Sequence, residues 1–191
     1  MRDGAEVVLW FEHDLYDQLQ LIDALTLARS VRAEPELIVI GSFQGRPSFA
    51  GLGELTANEL GTLWPSRTGS TSAALDAAAE PWAALCEPAP TALAKLAARE
   101  DPQVPYTAGA LRRLLQELPS PTDGLSRTER AALETIAAGA RTASAAFVAS
   151  QRREEAPFLG DTWFYRALSA LGQGASRLLE TADGEPLPPP P

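Results

Sequence analysis

The stretch "WFEHDLYDQLQ" (Trp10 to Gln20) gathers Glu12, Asp14 and Asp17 around His13, the only histidine of the chain. These residue types suit acid/base work. A carboxylate at the end of an apolar run loses hydration, which raises its pKa and makes it a usable proton donor or acceptor. An imidazole titrates near neutrality and can share the transfer. One imidazole with three carboxylates also has the hard donor character that suits Mg²⁺ or Mn²⁺, provided the ligands converge. The competing reading is local: Asp14 is a good helix N-cap, Asp17 sits well in a positive first turn, and Gln18 can close that turn. Capping accounts for Asp14 and Asp17 but not for Glu12. The pattern therefore assigns Glu12 and His13 as acid and base. Asp14 and Asp17 orient, and Trp10 and Tyr16 belong to the core or the pocket wall. No metal and no cofactor is expected. Adjacent strand residues point to opposite faces, so Glu12 and His13 meet only if the strand stops at Phe11.

Elements must position such a site. "EVVLWF" (Glu6–Phe11) is a continuous apolar run of the kind that forms a strand buried on both faces. Leu15, Leu19, Ile22 and Leu25 then follow one face of a helix over Asp14–Ser30. "LIVIGSF" (Leu37–Phe43) is a second strand, which makes a right-handed βαβ unit. Glu12 through Asp17 fall where the first strand hands over to its helix, and ligands of open α/β sheets bind at that end. Two strands are few for a parallel sheet. The expected remedy is an edge strand hidden in an irregular segment, a partner subunit, or a longer parent domain.

The Gly-rich loop Gln44–Leu55 lacks the spacing of a phosphate-binding loop. Thr56 caps a helix over Ala57–Leu63. Thr71–Leu85 is helical, with Pro81 expected to kink or split it. Further helices run from Pro90 and Thr91 to about Arg99 and over Tyr106–Leu118. "PSPTDG" (Pro119–Gly124) reads as a linker. Beyond it Ser126 and Glu129 form a capping box for a helix to Ala138, stopped by Gly139. Thr142–Arg153 and Thr162–Leu171 follow, the latter capped by Asp161. Arg177–Thr181 and the segment around Leu187 make a possible hairpin. Three helices and a hairpin is the winged-helix order. The expected fold is thus α/β: a small parallel βαβ unit with a helical extension (residues 1–120), a winged-helix-like unit (121–185) and a disordered proline tail (186–191).

Composition narrows the function classes. The 191 residues carry a net charge of −9, which repels nucleic-acid phosphates and anionic lipid. From Gly124 to Glu185 there are seven Arg, eight acidic residues and no Lys, a poor footprint for a DNA reader. Arg127, Arg130, Arg152 and Arg153 are the candidates for phosphate contact, and Arg166 alone is offered by the third helix. Cys86 is the single cysteine. Its apolar neighbours predict a buried, inert thiol, and the absence of a possible intrachain disulfide points to the cytoplasm. No apolar run is long enough for a membrane span, and none at the start suits a signal peptide.

"LWFEHDLYDQLQL", with "GLGEL" (Gly51–Leu55), "ALRRLLQELPS" (Ala110–Ser120), "GLSRTERAALETIAAGAR" (Gly124–Arg141) and "APFLGD" (Ala156–Asp161), resembles a bacterial family. It is known as domain of unknown function eighteen thirty-five, and some members are labelled sigma-70-like. Members usually begin with a further strand and helix carrying a glycine–aspartate motif, which this chain lacks. The resemblance implies a fold more than an activity. The reading that follows is a cytoplasmic protein with a small-molecule or acid/base site at Glu12, His13, Asp14 and Asp17, expected to form a homo-oligomer by its strand edges. The alternative is a sigma-like helix-turn-helix regulator.

Overall fold

The computed structural model describes residues 6–174, 176–185 and 187. The chain divides between Leu115 and Gln116 into two compact units. The expected proline tail lies almost wholly outside the described residues.

The first unit opens with β1 (Val8–Glu12), α1 (Leu15–Ser30) and β2 (Glu36–Ile40). β1 and β2 run parallel, in register from Val8↔Glu36 to Glu12↔Ile40. A hidden edge strand does exist: β3 (Thr68–Gly69) pairs antiparallel with the start of β2. The order β1-β2-β3 leaves β1 at the sheet edge. Here the expectation of a doubly buried first strand fails. Every residue of β1 is only half-buried, because an edge strand has a neighbour on one side alone. Ile38 of the central strand is buried. The second strand also ends earlier than expected, at Ile40, since Gly41 and Ser42 leave the ladder.

Helices α2 (Ala57–Leu63), α3 (Ser72–Leu85), α4 (Thr91–Ala97) and α5 (Thr107–Leu115) complete the unit. Local chemistry places their starts. Thr56 and Glu59 form a reciprocal capping box on α2, and Thr71 caps α3 through Ala74 N–H. Pro81 does not split α3: it is buried, and the helix runs past it to Leu85. The core lies between α1 and α3, where Leu21, Ile22, Leu25 and Ala28 meet Leu75 and Ala78. Phe11, Leu37 and Val39 cover it from the sheet. Cys86 is exposed, not buried. It sits one residue past the end of α3, beyond the face that buries Ala84.

The second unit holds α6 (Arg127–Ala137), α7 (Ala143–Gln151) and α8 (Asp161–Leu171). Ser126 and Glu129 form the expected capping box. α6 stops at Gly139, whose φ of 110° is open to glycine and strained for other residues. Ala132, Ala146, Phe164, Leu168 and Leu171 are the buried core. Asp161 is the first residue of α8 instead of its cap; Gly160 holds the cap position. The described residues after α8 contain no strand. Thr181 N–H donates to the Glu185 carbonyl, closing a turn in place of the expected hairpin.

Candidate functional site

Asp14 caps α1: its Oδ1 accepts from Asp17 N–H at 3.1 Å. Asp17, one turn on, reaches back to the sheet, where its Oδ2 accepts from Glu12 N–H at 2.5 Å. The end of β1 is thus tied to the start of α1 by the Asp17 carboxylate. Gln18 adds a second tie. It is fully buried, donates to the Glu12 carbonyl at 2.6 Å, and accepts from Thr107 Oγ1 at 3.3 Å. A buried amide tolerates that location because both its ends are satisfied. Gln18 does not close its own turn, as its sequence position suggested; it locks α1 to β1 and α5.

These ties leave the Glu12 side chain aimed away from the ladder. Its Oε1 accepts from Leu52 N–H at 2.5 Å, at the start of the single 3₁₀ turn Leu52–Glu54. Gly51 makes this approach possible. A Cβ at position 51 would stand 2.2 Å from Glu12 Oε2 and 2.7 Å from Cδ. The Gly-rich loop therefore receives a carboxylate rather than a phosphate.

Glu12, Asp14 and Asp17 each offer an oxygen within 4.8 Å of the others. Burial pushes the Glu12 carboxyl above the usual carboxylate range; the Leu52 N–H opposes this, and the charges of Asp17 and Asp14 add to it. Asp14 is raised too, again chiefly by burial, with backbone N–H groups of Asp17 and Tyr16 opposing. No Lys or Arg ion pair reaches these carboxylates among the described residues. Two of the three thus keep a proton to a higher pH than a free carboxyl does.

His13 is not one of those converging ligands, but its ring acts on the Asp14 carboxyl, lowering its pKa. β1 continues through Glu12, so the next residue turns to the other side. The His13 ring lies edge-on to Tyr106, 5.9 Å between centroids, and its buried Nδ1 has no hydrogen-bond partner. Tyr106 in turn lies over Gly41 at the end of β2, 3.0 Å from where a Cβ would be. The converging oxygens are those of Glu12, Asp14 and Asp17, and the His13 ring contacts Tyr106. Trp10 stacks on Trp64 at 6.3 Å and is half-buried. Tyr16 is 40% exposed and is not a core residue, because it falls on the side of α1 away from Leu15 and Gln18.

Gly51, the Leu52 N–H, Gln18, Gly41 and Tyr106 are the parts that sequence reasoning did not assign. The motif "GLGEL" was a signal for the first two, since a glycine before a turn often admits a neighbour's side chain.

In the second unit the arginines named for phosphate contact are largely engaged. Arg127 pairs with Glu154 at 3.1 Å, Arg153 with Glu134 at 2.6 Å, and Arg130 with Asp123 through two bonds. Arg166 lies over the Trp163 ring at 4.9 Å. Comparison of the chain with protein-family models, with curated proteins and with solved structures finds no match.

Proposed function

We propose that the chain binds a small molecule at the strand–helix junction of its first unit. The Glu12–Asp14–Asp17 cluster takes the ligand's positive group, and Glu12 exchanges a proton with it. One observation carries the reading: three converging carboxylates, two of them raised by burial and mutual repulsion, with no ion pair to a basic side chain among the described residues. Such a cluster is costly unless something uses it. Glu12 is the proton-exchanging group because Leu52 N–H fixes one oxygen and leaves the other facing Asp14. Asp17 and Gln18 hold the geometry through the Glu12 backbone. His13 stands beside Asp14 with a buried Nδ1 that has no hydrogen-bond partner.

An all-carboxylate oxygen set also suits a hard divalent cation, which makes Mn²⁺ the simplest positive probe. The test compares Mn²⁺ binding by the full chain with Glu12→Gln and Asp17→Asn at neutral pH. The reading expects saturable binding that both variants lose while keeping their fold. Equal binding in all three, or none in the native chain, removes its support.

The second reading is a sigma-like helix-turn-helix regulator, with α6, α7 and α8 as a winged-helix-like unit of the family named above. The order of three helices favours it. The paired arginines oppose it, because a phosphate would have to displace Glu154, Asp123 and Glu134. Self-association through β1 belongs to the same set of proposals: its outer edge carries unpaired backbone groups, which invite a second strand.

A further inference from the structure

The segment after α8 folds back over the second unit. Leu178 and Leu179 N–H both donate to the Leu171 carbonyl, at 2.8 and 3.2 Å, and Gln173 Nε2 donates to the Leu187 carbonyl at 3.0 Å. Gly172 admits the Leu187 side chain, which a Cβ there would meet at 2.8 Å. The strap is therefore anchored at both ends. Leu179 and Leu187 of this segment, with residues of the helices, line an open pocket of about 490 Å³. That is the size of a small-ligand pocket. Ile136, Leu168, Leu179 and Leu187 give it apolar walls, with Tyr165 among them. Arg141 is the cation of its rim. It is exposed and forms no ion pair with a described residue. Across from it, Glu180 contacts Arg177 at 3.4 Å, and the Thr142 hydroxyl is taken up by capping α7.

We propose that this cavity binds a small amphiphile: an unbranched apolar chain between the strap and α6 and α8, with a carboxylate head on Arg141. Apolar walls select the chain by burial. The one rim cation without an ion pair selects the charge, and a guanidinium matches a carboxylate through two parallel hydrogen bonds. This pocket is independent of the Glu12 cluster.

Calorimetric titration of the full chain with decanoate tests it, with decyltrimethylammonium as the probe of opposite charge. Decanoate should bind saturably at one site. Arg141→Ala should weaken it about tenfold or more, the worth of a charge-assisted hydrogen bond, and Arg141→Lys should keep most of the affinity. Glu12→Gln should leave it unchanged. The proposal is overturned if decanoate shows no saturable binding, if Arg141→Ala binds it as well as the native chain, or if decyltrimethylammonium binds as tightly.

Discussion

Gly51→Ala isolates the contact on which the site is built. Gly51 has φ 162° and ψ 173°, extended backbone that any residue adopts, so alanine brings no backbone strain. What it brings is a methyl group 2.2 Å from Glu12 Oε2. The carboxylate must swing away and give up the Leu52 N–H. A hydrogen bond to a charged group is worth about 1.5–3 kcal/mol. Alanine offsets about 0.4–1 kcal/mol of this by restricting the unfolded chain. The net loss is about 1–2 kcal/mol, readable as a lower urea midpoint at unchanged slope. The same substitution in a Glu12→Ala background has nothing to displace and should stabilise by about 0.4–1 kcal/mol. The sign thus reverses, with a coupling of about 1.5–3 kcal/mol across the cycle. An equal cost in both backgrounds refutes the placement of the carboxylate against Gly51.

Three further outcomes follow from the same geometry. The Glu12 carboxyl is raised in the folded chain from an ordinary 4.5, so the folded state holds its proton longer than the unfolded state. Its penalty is absent below the ordinary value and grows as pH rises through the raised one. Glu12→Gln should therefore gain stability over the native chain at pH 7, and the gain should vanish near pH 4 in paired thermal melts. Asp14→Ala should cost about 1 kcal/mol for the lost N-cap, whereas Asp14→Asn, which still accepts from Asp17 N–H, should cost clearly less in the same denaturation assay. Light scattering at tens of micromolar should find a species larger than a monomer that a proline at Val8, whose N–H faces the free edge, disperses; a monomeric native chain removes the proposed β1 contact.

Local signals in the sequence were reliable where the physics is local. Thr56, and Ser126 with Glu129, announce helix starts that the structure places at the same residues. Gly139 announces a stop, and the apolar spacing of Leu15, Ile22 and Leu25 picks out the buried face of α1. The failures are long-range. β3 is two residues long and has no periodicity to read; only its pairing with Glu36 and Leu37 makes it a strand. β1 reads as a central strand because apolar composition does not say on how many sides a strand has neighbours. Within the site, Asp14 and Asp17 were legible as a cap and a first-turn acid. The distance from Glu12 to Gly51 and Leu52 was not, because loop residues far away in the chain meet β1 only after the fold closes. Glu12 and His13 look like a pair in sequence for the opposite reason: they are adjacent, and adjacency at a strand end separates side chains.

Calorimetric titration of the full chain with Mn²⁺ at pH 7 and again at about pH 5, in two buffers of different ionisation enthalpy, tests the central claim most directly. The buffer dependence counts protons released as the cation binds. If Glu12, Asp14 and Asp17 form a site that exchanges a proton with a positive group, the native chain binds saturably, releases more protons at the lower pH, and loses the binding in Glu12→Gln. Saturable binding with the same proton count in Glu12→Gln, or no binding by the native chain, contradicts it.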